Sequence, residues 1–72
     1  MDTKEFLKEL GNYTREDAYG RALEGAIELA SIVYEEDESP ELNIAMMQDA
    51  LSVYNISADH RLAIAMFIMR EL

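Results

Sequence analysis

The chain has no cysteine, one proline, three glycines and, over 39 consecutive residues, no positive charge. Without cysteine there are no disulfides and no thiolate metal sites, a composition that fits a reducing compartment. A long apolar run is also missing. The longest, Leu62 to Met69, has eight residues, roughly 12 Å of helix against a hydrocarbon core of ~30 Å. No membrane span is expected. Nor is a secretory leader, because Asp2 and Glu5 stand where a basic start would be and no apolar stretch follows. The expectation is a cytoplasmic protein that does not engage membranes.

What is present is a one-sided charge. All six Lys and Arg lie outside residues 22–60: Lys4, Lys8, Arg15, Arg21, Arg61 and Arg70. Inside that stretch are nine acids: Glu24, Glu28, Glu35, Glu36, Asp37, Glu38, Glu41, Asp49 and Asp59. The other residues balance, six acids against six bases, so the formal charge of -9 belongs to residues 22–60. A field of one sign governs partners and association rate rather than fold. With half its residues apolar, the chain is not simply disordered. Residues 1–72 make one domain, and a chain this short buries only about 60% of its unfolded surface.

Four helices are predicted. The first starts at Asp2 or Thr3, uses Phe6, Leu7 and Leu10 as its apolar side, and ends at Gly11 in the left-handed conformation. It is about two turns long and holds only by packing. Thr14 caps the second, which runs from about Arg15 to Glu36. Ala18, Tyr19, Ala22, Leu23, Ala26, Ile27, Leu29, Ala30, Val33 and Tyr34 recur there at three- and four-residue steps, the mark of one buried face. Gly20 and Gly25 each cost about 1 kcal/mol against Ala, which points to a backbone passing close by. Ser39 caps the third helix with Pro40 in its first position. It runs to about Tyr54, with Leu42, Met46, Ala50 and Val53 as one apolar row and Met47, Leu51 and Tyr54 as another. Asn43, Gln48, Asp49 and Ser52 face away, and Asn55 ends the helix in the left-handed conformation. Ser57 caps the fourth, which continues to the C-terminus with Asp59 in its first turn. The fold class is all-α: a small bundle of three main helices plus a short N-terminal helix.

Chemistry-bearing constellations are scarce. Read from Asp37, an EF-hand loop would need glycine at its sixth position and glutamate at its twelfth, where the chain has Leu42 and Gln48. His60 is the only histidine and has no second ligand at a zinc spacing. It reads as a surface residue. No nucleophile elbow, phosphate loop or dinucleotide fingerprint occurs. We therefore expect no enzyme, no catalytic residue, no metal and no cofactor. A helix-turn-helix reading of the last two helices fails, because a recognition helix needs basic and polar residues and this body is acidic. Direct nucleic-acid binding is not expected.

Three surfaces remain as candidates. Glu24, Glu28, Glu35, Glu36, Asp37, Glu38 and Glu41 form an acidic band. The first six fall within roughly 22 Å if helical, or one per ~4 Å, close to the ~3.4 Å phosphate step of one DNA strand. An ordinary solvated helix interleaves Lys with Glu, and this one does not. The last helix is apolar on every side from Leu62 to Met69, so it either threads the bundle or makes an oligomer contact through Leu62, Met66, Phe67 and Met69. Tyr13, Arg15 and Arg21 cluster before or within the second helix and suit a small anionic ligand. The function expected is a non-enzymatic protein-binding module, self-associating, whose acidic helix blocks a basic nucleic-acid-binding surface of a partner protein. That is the character of phage-type antagonists of host defence or transcription, an analogy of type that rests on no motif. The alternative is a homo-oligomer holding a nucleotide-like anion at its subunit interfaces.

Overall fold

Asp2 opens the first helix by accepting the Glu5 amide at 2.9 Å on its carboxylate. The structure is a computed structural model that describes residues 2–71. Its helices are α1 (Thr3–Gly11), α2 (Ala18–Val33), α3 (Pro40–Leu51) and α4 (Ala58–Glu71), with no strand among the described residues. This is the small all-α bundle that the periodicity predicts.

α2 packs on each of the other three helices, and α3 packs on α4. Leu23, Ala26 and Ala30 of α2, Met47 and Leu51 of α3, and Ile64 and Ala65 of α4 are fully buried between them. The alanines let the helix axes come close without leaving a void. α1 closes the remaining side through Phe6 and Leu7, with Phe6 stacked on Phe67 of α4. Two turns of helix are too few to stand alone, so that packing is what holds α1.

The ends differ from expectation for identifiable reasons. At the end of α1, Gly11 has a φ of 155° and the left-handed residue is Asn12, at φ 63°. α2 begins one turn later than expected. Thr14 does not cap it: the Thr14 amide donates to the Asp17 carboxylate at 3.2 Å while the Asp17 amide donates to the Thr14 carbonyl at 3.2 Å. The four residues thus close into a separate turn. Arg21 ties that turn down by donating to the Arg15 and Glu16 carbonyls at 3.2 and 3.0 Å. Gly20 is where the turn crosses α2. A Cβ there would collide with the Thr14 carbonyl oxygen, so a close backbone does explain this glycine. Gly25 differs, because its neighbour is a side chain, the Tyr54 ring.

α3 ends at Leu51, not at Tyr54. The Ser52, Val53 and Tyr54 amides bond to carbonyls three residues back, and the Ser52 hydroxyl takes the Asp49 carbonyl at 2.6 Å. This tightened turn ends the helix without a left-handed residue, so Asn55 does not have the role predicted for it. Val53, placed above on an apolar row, is 78% exposed. Ser39 caps α3 by accepting the Leu42 amide, and Ser57 caps α4 by accepting the His60 amide, each at 3.2 Å.

Candidate partner-binding surface

The acidic band is not one continuous helical stripe. α2 stops at Val33, so Glu35, Glu36, Asp37 and Glu38 lie in the connection to α3, outside any helix. The 1.5 Å rise therefore does not carry through them, and the DNA-like spacing predicted for the band is not realised. Four acids in a row, without bases at the i,i+4 positions, disfavour continuing the helix.

A different device orders this segment. Asn43, expected to face away, is the buried polar residue among the described residues, 1% exposed on the same row as Met47 and Leu51. Its Oδ1 accepts the Glu35 amide at 2.8 Å. Its Nδ2 donates to the Glu35 carbonyl at 2.7 Å and, more loosely, to the Glu38 carbonyl at 3.4 Å. The carboxamide thus substitutes for the helical bonds that the chain gives up after Val33. With the Asn43 amide donated to the Ser39 carbonyl and the Ser39 cap on Leu42, residues 35–42 are pinned at several points. Five carboxylates (Glu35, Glu36, Asp37, Glu38 and Glu41) project from residues 35–41, all exposed.

The α2 part of the band behaves differently. Glu24 is half-buried and takes an ion pair from the Arg15 Nε at 2.9 Å. That contact and the charge of Glu24, with Glu28 adding less, raise the Arg15 pKa above its ordinary value. Glu16, in the same turn, is held below the ordinary glutamate range, first by the Thr14 side chain and more weakly by Lys4. Glu28 remains exposed. So Arg15, which lies outside the base-free stretch in sequence, folds back to compensate it at Glu24.

Of the residues offered for a small anion, Tyr13 and Arg15 line one cleft, while Arg15 and Arg21 line a second that also holds Glu24 and Glu28. Arg21 is spent on the two carbonyls of the turn. Tyr13 packs on Tyr19 with ring centroids 4.9 Å apart, and both meet the His60 ring edge-on. Tyr19 joins α2 to α4: its hydroxyl accepts the Ser57 amide at 2.9 Å and lies 2.8 Å from His60 Nδ1. Which of the two donates in the Tyr19–His60 contact follows from the imidazole tautomer. His60 is half-buried rather than on the surface. Lys4 and Lys8, which sequence reasoning passed over, line a cleft of about 340 Å3 with Leu7, Tyr13, Arg15 and Glu16. Their i,i+4 spacing on one short helix was the available signal. Among the described residues no three of His, Cys, Asp and Glu are grouped to hold a metal.

The candidate oligomer residues on α4 divide by face. Leu62 and Met66 are 44% and 50% exposed. Phe67, at 5%, is taken up in the core by Phe6 and is not available to a second chain, and Met69 is half-buried. Among the described residues no helix is long and apolar enough to cross a membrane. No protein-family model, no curated protein and no solved structure matches this chain.

Proposed function

We propose that the protein is a non-enzymatic binding module whose acidic loop blocks a basic, nucleic-acid-binding surface of a partner protein, in the manner of small phage-type antagonists in the cytoplasm. The observation that carries this reading is the Asn43 clamp. It fixes the backbone that carries five exposed carboxylates over residues 35–41, with no base among them. A pre-ordered anionic surface loses little entropy on docking and steers a cationic partner from a distance. The contact moves from the α2 stripe to the loop, because Arg15 already pairs with Glu24.

The test compares two neutralised proteins as baits. In one, Glu36→Gln, Asp37→Asn and Glu38→Gln remove the loop charge. In the other, Glu24→Gln and Glu28→Gln remove the helix charge. Loss of a captured basic protein with the first set and retention with the second is expected. Equal capture by the loop-neutralised bait would overturn the reading.

A second reading keeps the small-anion site but moves it. The cleft beside Tyr13 and Arg15 takes Lys4 and Lys8 in place of Arg21. A nucleotide that raises the melting temperature of the native protein but not of the Lys8→Ala protein would favour it. No stabilisation of either would remove it.

A further inference from the structure

Phe6 of α1 and Phe67 of α4 stack with ring centroids 4.1 Å apart and planes within 10°. The pair sets the two helices level at residues 6 and 67. On one side of the stack, Asp2 and Thr3 share a hollow with Ile68 and Glu71. On the other, Leu10 lies with Ala63 and Met66. The helices therefore run antiparallel. The groove between them, about 310 Å3, has an apolar floor of Phe6, Leu10 and Ala63, and its α4 wall carries the half-exposed Met66. Leu62, one turn earlier, continues the same exposed row.

Two charges border this groove, Glu9 and Arg70, of opposite sign and both exposed. Neither has an ion-pair partner among the described residues. Arg70 is held over the Phe67 ring at 6.0 Å. Glu9 lies three residues past Phe6, and Arg70 three past Phe67. On antiparallel helices these steps point in opposite directions. The charges thus sit at opposite ends of the groove, roughly 4.5 Å to either side of the ring pair.

A two-fold axis lying in the plane of the groove's open face, above the ring pair and perpendicular to the line from Glu9 to Arg70, exchanges those ends. It sets Glu9 of one copy against Arg70 of its partner, twice, and lays each Met66 toward the apolar floor of the other copy. An isologous contact requires one patch to serve as both faces, and this patch is complementary to itself in charge. We infer that the α1–α4 groove is a homodimer interface closed by reciprocal Glu9–Arg70 pairs. The acidic loop contributes nothing to the groove, so the inference stands apart from the proposed partner. A short groove places the contact in the small, transient class, below about 1,200 Å2 in total. Two copies of charge -9 also repel. The dimer is therefore in reversible equilibrium with the monomer.

Sedimentation across a concentration series tests this with four proteins: native, Glu9→Arg, Arg70→Glu, and the double reversal. Each single reversal replaces two attractive contacts by two repulsive ones and should weaken the dimer about tenfold. The double reversal should restore it. Met66→Asp, also at an exposed position, should give a folded monomer by circular dichroism. A native protein that stays monomeric at every soluble concentration overturns the inference. So does a dimer indifferent to the single reversals, or one that the double reversal does not restore. The loop-neutralised protein should dimerise normally, which separates this outcome from failure of the acidic-loop reading.

Discussion

Replacing Asn43 by Ala would remove the clamp while leaving every carboxylate in place. Two of its three bonds are short, at 2.8 and 2.7 Å, and the third is long at 3.4 Å. A net hydrogen bond stabilises by about 1 kcal/mol, and a buried group left without a partner costs about 1–3 kcal/mol. Glu35 itself is exposed, so water reaches part of its backbone and the lower half of that range applies. The expected loss is about 2 kcal/mol. For a chain of this length, 1 kcal/mol corresponds to roughly 6 °C in Tm, so Asn43→Ala should melt about 12 °C lower. Asn43→Asp should be no better, since it keeps the acceptor for the Glu35 amide but loses both donors and buries a charge among acids. Urea unfolding by circular dichroism measures the stability, and amide exchange at Glu35 reports the local opening. Partner capture should weaken in parallel, because the backbone that presents the carboxylates would no longer be held in one arrangement. If Asn43→Ala stays within about 0.5 kcal/mol of the native protein, as an ordinary surface substitution would, the clamp argument is wrong.

Other substitutions probe the joints. Tyr19→Phe deprives the Ser57 amide and His60 Nδ1 of their shared hydroxyl and should cost about 1–2 kcal/mol by thermal melt, with little change in helix content. Gly20→Ala should destabilise although alanine is the better helix former by about 1 kcal/mol, because its Cβ meets the Thr14 carbonyl. Gly25→Ala meets only the far end of the Tyr54 side chain, which can swing aside, so its Tm should hold or rise. A Gly20→Ala protein as stable as Gly25→Ala would refute the crossing-turn explanation. Phe67→Ala should cost about 3–5 kcal/mol in urea unfolding, whereas Met66→Ala, at an exposed position, should cost far less.

Much of the fold could be read from spacing alone. The 3.6-residue recurrence along α2, the Ser-Pro start of α3 and Ser57 before α4 each reflect a local physical rule, and these helices formed, with α2 shorter than expected at both ends and α3 shorter at its C-terminal end. What escaped involved contacts distant in sequence or a choice between two local bonding patterns. Thr14 and Asp17 fit a helix cap as well as a closed turn, and Arg21 reaching back to the Arg15 and Glu16 carbonyls accompanies the turn. Asn43 reads as outward-facing because it is polar, yet it lies four residues before Met47 and eight before Leu51, on the buried row. The band lost its regular spacing because α2 ends at Val33, between Glu28 and Glu35. Helix four, apolar on every side, left its inner face undetermined. The Phe6–Phe67 stack decides that, and α1 is too short for its position to be read from its own sequence.

The most direct measurement of the central claim is a competition. The basic protein captured by the acidic loop would be bound to a labelled nucleic-acid duplex and titrated with this protein. The account predicts displacement of the duplex, weakening as salt shortens the Debye length from about 10 Å at 0.1 M, and lost on neutralising Glu36, Asp37 and Glu38. A duplex that stays bound while the partner is saturated with this protein would contradict it.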